Sequence, residues 1–328
     1  MNENAQPPDA AVATPAVPTS PPQDNPGIPA PAPAPMPTPA PSAAPFRAGL
    51  VVIVGRTNAG KSTLLNRLVG QKVSIVTPKP QTTRHAVHGI VHRPGVQIVF
   101  VDTPGFFRTR RSALVDSLHQ RATEALQDVD VVVYLADPTR EPGPEDAMVA
   151  DALAGWRGPR ILCLGKADLP RPHRAAWRPG SDSYRHVIDV SGATGIGTDD
   201  LLHAIGTLLP ESEPLYPPED VTNATRDFRI AEVIREQVYI QAGDEVPYRT
   251  VVSIDRVEVM PATATSPERL GVDATVFASA DKYQRMLIGR GGARVKQLRE
   301  FSRRELQRVL GRKVALSLDI KVDTKIED

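Results

Sequence analysis

The feature of the sequence that most constrains its fold is the octapeptide Gly55-Arg56-Thr57-Asn58-Ala59-Gly60-Lys61-Ser62, which directly follows the apolar run Leu50–Val54. A G-x-x-x-x-G-K-S loop between a strand and a helix is typical of polyphosphate binding. Its glycines let backbone N–H groups approach the phosphate oxygens, and the helix N-terminus adds a favourable dipole. A glycine-rich turn without a ligand is the alternative. The strand before the loop and the helical pattern after it favour phosphate binding.

Short apolar runs alternate with helical patterns over residues 47–210, the range that we predict for a first domain. The predicted buried strands are Leu50–Val54, Val96–Val101, Val131–Ala136, Arg160–Leu164 and His186–Val190, and the helical patterns Ser62–Val69, Pro144–Leu153 and Asp199–Leu208 fall between several of them. This alternation is typical of βαβ units, so the sequence predicts an α/β fold with a doubly wound, mostly parallel sheet. The stretch His85–His92 alternates polar and apolar residues instead, as an edge strand does.

Two proline-rich stretches bound this domain. Residues 1–46 hold 15 of the 33 prolines and are predicted to form a disordered, partly polyproline-II tail. The stretch Pro210–Asp220 cannot continue a helix and indicates an interdomain linker, which we place at residues 211–225. The single cysteine, Cys163, excludes an internal disulfide and suits a reducing, cytoplasmic compartment. No apolar run is long enough to span a membrane.

A second domain is predicted over residues 226–328, with the order α-β-β-α-α-β. Its predicted elements are a helix (Phe228–Gln241), two strands (Thr250–Val259 and Gly271–Ala280), a helical region with a glycine-rich turn (Lys282–Leu310) and a last strand (Val314–Val322). The fold class is therefore an α/β domain followed by a smaller α+β domain.

Several residues are placed to bind a triphosphate and its metal ion. Backbone groups of Gly55, Asn58, Ala59 and Gly60 would line the phosphates, Lys61 would hold the β- and γ-phosphates, Ser62 would ligate Mg²⁺ and Thr63 would reach the α-phosphate. Asp102 ends a strand, where it would meet the metal through water, and the N–H of Gly105 would meet the γ-phosphate. The polar stretch Gln81-Thr82-Thr83-Arg84 could offer Thr83 to Mg²⁺ as a loop ordered by the γ-phosphate.

The choice of base is predicted from Gly165-Lys166-Ala167-Asp168, which follows a buried strand. The carboxylate of Asp168 can accept hydrogen bonds from N1–H and the 2-amino group of guanine, a donor pair that adenine lacks. A buried acceptor that a wrong ligand leaves unpaired gives strong discrimination, so we expect GTP in preference to ATP. Ser191-Gly192-Ala193 is placed to support the base from its other side.

These elements, in this order and spacing, resemble the translation-factor-like (TRAFAC) class of GTPases. Within that class the chain resembles the Era family of ribosome-assembly GTPases over roughly residues 49 to 322. The further residues that carry this resemblance are Lys79–His85, Asp102–Gly105, Tyr216-Pro217, Ala231–Glu236 and Asp244–Tyr248. The resemblance implies GTP hydrolysis with Lys61, Asp102, Gly105 and Asn58 as catalytic groups. It also implies that Asn58 ligates K⁺ where an arginine finger otherwise places positive charge. A loop-capping role is the alternative for Asn58.

The sequence departs from the family pattern at the base site. Gly165 stands where the family normally carries Asn and sometimes Thr, so no side chain at 165 can bond the base or tie this loop to the phosphate loop. One such hydrogen bond contributes on the order of 1 kcal/mol, so we expect weaker affinity with retained guanine preference. Gly192 replaces Ala, which should matter less because the base contact there is a backbone N–H. Phe106 follows Asp-Thr-Pro-Gly and cannot orient water as the Gln of Ras-type enzymes does, so intrinsic turnover should be slow.

A local basic patch indicates a nucleic-acid partner, although the whole chain carries a net charge of only +1. Between Asp281 and Ile320 basic residues outnumber acidic ones by seven, and the turn Ile288-Gly289-Arg290-Gly291-Gly292 would let a sugar-phosphate backbone approach closely. A solvated arginine-rich helix face is the alternative. With the α-β-β-α-α-β order, this half resembles a type II KH domain that binds single-stranded RNA. Its candidate RNA contacts are Lys282, Arg285, Ile288, Gly289, Arg290, Gly291, Gly292, Arg294 and Lys296.

The resemblance implies GTP/GDP and Mg²⁺ as ligands and the 3′ end of 16S ribosomal RNA in the 30S subunit as the RNA partner. It is also compatible with a monomer and with peripheral attachment to the inner face of the cell membrane. We hypothesise that the switch segments near Thr82–His85 and Phe106–Arg111 reposition the KH domain through a linker hinge, and that bound RNA stimulates hydrolysis.

Two other functions stay open at this point. One is an RNA-binding assembly factor whose nucleotide turnover is weak or vestigial because of Gly165. The other is a different GTPase of the class, such as a tandem-G-domain ribosome factor or a tRNA-modification GTPase. One G domain with a C-terminal G-x-x-G argues against the second.

Overall fold

The computed structural model describes residues 45–77, 87–102, 129–177, 183–243, 245–263 and 267–326. All of them belong to one compact unit, residues 43–328. The predicted tail, residues 1–46, lies almost entirely outside this range. No described helix is long and apolar enough to cross a membrane.

A six-stranded sheet forms the first half of this unit. Its strands are β1 (Arg47–Val54), β2 (Val87–Arg93), β3 (Val96–Asp102), β4 (Val131–Ala136), β5 (Arg160–Leu164) and β6 (His186–Asp189). The spatial order is β2-β3-β1-β4-β5-β6, and every neighbouring pair is parallel except the hairpin β2–β3. The alternating stretch is therefore the edge strand that the sequence predicted. The order changes direction at β1, and ligands of such sheets bind where the strand order reverses.

Helices cover both faces of the sheet. The described helices are α1 (Lys61–Val69), α2 (Pro144–Ala154) and α3 (Thr198–Leu208). One apolar core joins α1 and α3 to one sheet face, and a second core joins α2 and Trp177 to the other. Because β1, β4 and β5 are parallel and buried on both faces, their carboxyl ends are fixed at one edge of the sheet. The doubly wound α/β fold is as predicted.

The second half is an α+β fold around its own core. Its elements are α4 (Arg226–Gln241), β7 (Thr250–Met260), β8 (Arg269–Ala278), α5 (Asp281–Ile288), α6 (Ala293–Leu310) and β9 (Val314–Val322). The sheet order is β7-β8-β9, with β7 antiparallel and β9 parallel to β8. Apolar faces of the three helices pack on one side of this sheet. The predicted order α-β-β-α-α-β is confirmed.

The linker is bound along the edge of the six-stranded sheet. The buried Gln97 side chain accepts from the backbone N–H groups of Leu215 and Tyr216 at 2.6 and 3.0 Å and donates to the Tyr216 carbonyl at 2.7 Å. Ile90 N–H donates to the Val221 carbonyl, and the Tyr216 hydroxyl bonds His88 Nδ1 at 2.8 Å. The predicted hinge is thus not a free tether, since bending here requires breaking these bonds.

Candidate nucleotide and RNA sites

The phosphate-binding loop lies between β1 and α1, at the carboxyl edge of the sheet. Its lysine points back into the loop: Lys61 Nζ donates to the carbonyls of Gly55 and Arg56 at 3.0 and 2.8 Å. The ammonium therefore lies inside the ring of backbone groups that would surround a phosphate. Ser62 and Thr63 follow in the first turn of α1 and are half-buried. The structure brings the predicted phosphate ligands of this loop together.

Asn58 has a backbone conformation that bears on its role. Its φ is +60°, a left-handed conformation that Asn tolerates better than most residues. The loop thus has a conformational reason for Asn at 58, in addition to the predicted K⁺ contact. A test of the potassium role must keep this conformation.

Three of the predicted ligands of the γ-phosphate and metal lie at or beyond the limits of the described residues. Thr83 and Gly105 are outside them, as are the segments Thr82–His85 and Phe106–Arg111. Asp102 is the last residue of β3, and its backbone pairs with Val87 of the edge strand. The strand end therefore has the position that the sequence predicted.

The two loops predicted to contact the base meet at the ends of β5 and β6. The hydroxyl of Ser191 donates to Asp168 Oδ1, and this bond is the main reason that the pKa of Asp168 is lowered from its ordinary value. Asp168 is therefore ionised at neutral pH and acts as an acceptor. Residues of both loops, with Ala59, Gly60 and Thr63, line a cavity of about 220 Å³. An acceptor beside a cavity that adjoins the phosphate loop is the arrangement that guanine recognition needs.

Two glycines let these loops lie unusually close to neighbouring backbone. A Cβ at Gly165 would be 2.9 Å from the Ala136 carbonyl oxygen, and a Cβ at Gly192 would be 2.7 Å from the Leu64 nitrogen. Both distances are shorter than real Cβ contacts, so Asn at 165 or Ala at 192 would push its loop outward. The Gly165→Asn variant is consequently not a simple restoration of the family residue.

Sequence reasoning missed several residues that hold the loops. Arg67, on α1, donates to the carbonyls of Gly192 and Ala193. Glu145, at the start of α2, accepts from the N–H of Thr57 at 3.1 Å. These are contacts between residues far apart in sequence, and no motif marks them.

The G-x-x-G turn joins α5 to α6. Gly289 has φ +70° and ψ 174°, a conformation open essentially to glycine, and a Cβ there would be 2.8 Å from the Arg294 side chain. Gly291 is left-handed, with φ +57°, and a Cβ there would meet no atom of the described residues within 4 Å. The turn therefore leaves open space next to Gly291, as a backbone-binding turn requires.

The basic residues around α6 divide into two groups. Toward the C-terminal end of α6, Arg303, Arg304, Arg308 and Arg312 pair with Glu300, Glu305 or Glu268. Near the G-x-x-G turn, Lys282, Arg285, Arg290, Arg294, Lys296 and Arg299 form no ion pair with any carboxylate that the structure describes. The uncompensated charge is thus concentrated at the turn, which favours the RNA interpretation over a solvated helix face.

The fold and these sites define a P-loop GTPase domain joined to a type II KH domain. Family models agree: one described as "50S ribosome-binding GTPase" matches residues 50–166, and one described as "KH domain" matches residues 254–325. The chain belongs to the GTPase Era family. It is 37% identical to GTPase Era of Geobacter metallireducens, covering 85% of this chain and 93% of the relative, and 37% identical to that of Lactobacillus helveticus, covering 84% and 91%.

Solved structures agree in both sequence and fold. A crystal structure of Era in complex with MgGDPNP and nucleotides 1506–1542 of 16S ribosomal RNA superposes with a TM-score of 0.75 at 31% identity, covering 85% of this chain and 95% of that one. An Aquifex aeolicus Era variant bound to GDP and AlF4⁻ gives 0.76 at 30% identity with the same coverage. The resemblance stated from the motifs is therefore confirmed over both domains.

Proposed function

We propose that this chain is a Mg²⁺-dependent GTPase that binds the 3′ end of 16S ribosomal RNA and assists assembly of the 30S subunit. The observation that carries the proposal is the hydrogen bond from the Ser191 hydroxyl to the Asp168 carboxylate, at a cavity that adjoins the phosphate loop. In the second half of the same compact unit, the basic side chains around Gly289–Gly292 form no ion pair with a described carboxylate. A relative of 31% identity is described with a magnesium-bound GTP analogue and 16S ribosomal RNA together.

Different residues of the nucleotide site bind the base, the phosphates and the metal ion. Asp168 accepts the two donors of guanine, and Gly192 and Ala193 present backbone groups to the base. Lys61 and the loop N–H groups stabilise charge on the transferring phosphate, which is the main catalytic device of this reaction class. Ser62, Thr83 and Asp102 would hold Mg²⁺, which neutralises phosphate charge when bound. Ser62 suits this role because its hydroxyl belongs to the first turn of α1, directly after the phosphate-binding loop.

Potassium should raise the rate of GTP hydrolysis several-fold over sodium, because the chain carries Phe106 where Ras-type enzymes place Gln, and Asn58 stands at the position where the family resemblance implies a K⁺ ligand. The measurement is phosphate release at equal ionic strength in KCl and NaCl. Asn58→Gly is the matched variant: glycine adopts φ +60° without strain, so the loop is kept while the side chain is removed. We expect this variant to bind nucleotide and to show no potassium effect. Equal rates of the unaltered chain in both salts would contradict the proposal.

A partly buried charge cluster joins the two domains next to the predicted switch. Lys72 Nζ, just after α1, bonds the carboxylates of Glu236 on α4 and Glu305 on α6. Glu236 also accepts from the N–H of Val76 at 2.9 Å, and its side chain is 4% exposed. Val76 lies six residues before Thr82, where the predicted switch segment begins. A helix of the KH domain therefore holds the chain leading into that segment, which supports coupling between nucleotide and RNA.

The test of the proposed function is crosslinking to 16S ribosomal RNA with either a GTP analogue or GDP present. We expect crosslinks at the 3′ end that are stronger with the GTP analogue. In Glu236→Gln, which retains an acceptor for Val76 N–H but loses the charge, the difference between nucleotides should shrink. Crosslinks elsewhere in the RNA, or none with either nucleotide, would overturn the RNA assignment.

A second candidate function, an RNA-binding assembly factor with vestigial turnover, rests on Gly165. It predicts RNA crosslinking that is the same with both nucleotides, and no GTP turnover even with potassium and RNA. The monomeric state, the cytoplasmic location and peripheral membrane attachment stay predictions.

A further inference from the structure

A buried carboxylate lies between the phosphate loop and the base-recognition loop. Asp137 directly follows β4, and its side chain is 1% exposed. It accepts from Lys166 Nζ at 2.7 Å on Oδ2, and from the Thr139 hydroxyl and N–H at 2.6 and 3.2 Å on Oδ1. The Arg56 guanidinium of the phosphate loop lies 3.8 Å from Oδ2. One oxygen therefore faces a cation from each of the two loops.

The surroundings keep this carboxylate charged. Burial by itself would raise the pKa of Asp137, but the hydrogen bonds from Lys166 and Thr139 outweigh burial and hold the pKa below its ordinary value. A charge this deeply buried persists only when it is paired and hydrogen-bonded. Asp137 is thus a fixed anion between two cations.

Lys166 is the partner that this anion constrains most. Its φ is +54°, a left-handed conformation that is unfavourable for Lys. It lines the base cavity and stands two residues before Asp168. The preceding residue, Gly165, has no side chain to secure the loop; its N–H donates to the Ala136 carbonyl, next to Asp137, at 2.9 Å. The loop is therefore attached to the end of β4 at two successive residues.

We propose that Asp137 is a positioning residue for guanine recognition. It links Lys166 of the base-recognition loop to Arg56 of the phosphate loop, a connection that Gly165 cannot make because it has no side chain. This inference rests on the proposed binding of GTP. Asp137 is not among the residues that line the base cavity. It acts by fixing the backbone that carries Asp168.

The consequence is a specific effect on base discrimination. Inosine nucleotides lack the 2-amino group, so they lose one of the two bonds to Asp168 and should bind more weakly than guanosine nucleotides. A displaced loop weakens the bonds that depend on its position, so loss of Asp137 should reduce GDP affinity more than IDP affinity. A general loss of folding stability would lower both affinities equally.

The experiment measures the dissociation constants of GDP and IDP by calorimetry for the full chain and for Asp137→Asn. We expect GDP affinity to fall about tenfold. The ratio of the dissociation constant of IDP to that of GDP should fall several-fold, a coupling of the size found for residues in one ion-pair network. Thr139→Val is the matched control. It removes the hydroxyl that bonds the same carboxylate and keeps the bond from Lys166, so its ratio of IDP to GDP dissociation constants should equal that of the unaltered chain.

A second variant covers the case in which Asp137→Asn fails to fold. Lys166→Met removes the cation of the Asp137–Lys166 ion pair, and the Lys166 side chain is 29% exposed. This variant should lower the ratio of the IDP and GDP dissociation constants by a similar factor. The double variant, Asp137→Asn with Lys166→Met, should lower this ratio no further than either single variant does. An unaltered chain that binds GDP, together with an unchanged ratio in both single variants, overturns this inference alone. An unaltered chain that binds neither nucleotide overturns the proposed function and this inference with it.

Discussion

Replacing Asp168 with Asn is expected to change the preferred base from guanine to xanthine. The carboxylate accepts from two guanine donors, whereas the Asn amide has one acceptor oxygen and one NH₂ group, so one of the two guanine donors faces an N–H and is left unpaired. Xanthine carries a carbonyl at position 2, which can accept from that amide. A site built around hydrogen bonds discriminates by several orders of magnitude, so GDP affinity should fall at least 100-fold and XDP should bind better than GDP.

The structure supports a clean exchange at this position. The Ser191 hydroxyl donates to Asp168 Oδ1, a bond that the Asn carbonyl oxygen can keep, so the loop should hold its shape. The measurement is competition between GDP and XDP for the bound nucleotide. Asp200→Asn, at an exposed acid on α3, is the control with the same change of charge. Should Asp168→Asn retain full GDP affinity, the guanine site has been assigned to the wrong residue.

The second large effect is expected in the KH turn. The double variant Arg290→Asp, Gly291→Asp places two carboxylates where the RNA backbone would lie, and we expect RNA affinity to fall at least 100-fold through charge repulsion. The turn should still fold, because Gly291 has open space around it and Asp tolerates its left-handed φ of +57°. The measurement is binding to an RNA with nucleotides 1506–1542 of 16S ribosomal RNA, the fragment in the solved relative.

The far end of α6 offers a matched control. Gly311 is also left-handed, with φ +64°, and is followed by an arginine, Arg312. Within the part of the chain that the structure describes, a Cβ at Gly311 would meet no atom within 4 Å. The variant Gly311→Asp, Arg312→Asp therefore makes the same change of charge in the same backbone conformation, about 27 Å away along a helix of 18 residues. It should bind RNA nearly as well as the unaltered chain and should leave nucleotide binding intact. Equal losses of RNA affinity in the two double variants would mean that RNA binding depends only on net charge, and would contradict an RNA site at the turn.

The sequence determined the local chemistry and the order of elements. The strand, loop and helix around Lys61 are readable because a polyphosphate needs glycines, a lysine and a helix N-terminus in consecutive positions. The α-β-β-α-α-β order and the turn at Gly289–Gly292 are equally local. The departure at Gly165 was visible too, and it raised the question of what holds the base loop.

Only the tertiary structure decided how these parts are held together. The ion pair of Asp137 with Lys166 joins residues 29 positions apart, and the hydrogen bond from Arg67 to Gly192 joins residues 125 positions apart. The cluster at Lys72 joins residues 164 or more positions apart. Such contacts depend on how helices pack on the sheets, and no spacing in the sequence encodes them. The distribution of charge shows the same limit. An excess of seven basic residues between Asp281 and Ile320 is visible in the sequence. Packing decides that the arginines near Glu300 and Glu305 form ion pairs, whereas those at the turn pair with no carboxylate among the described residues.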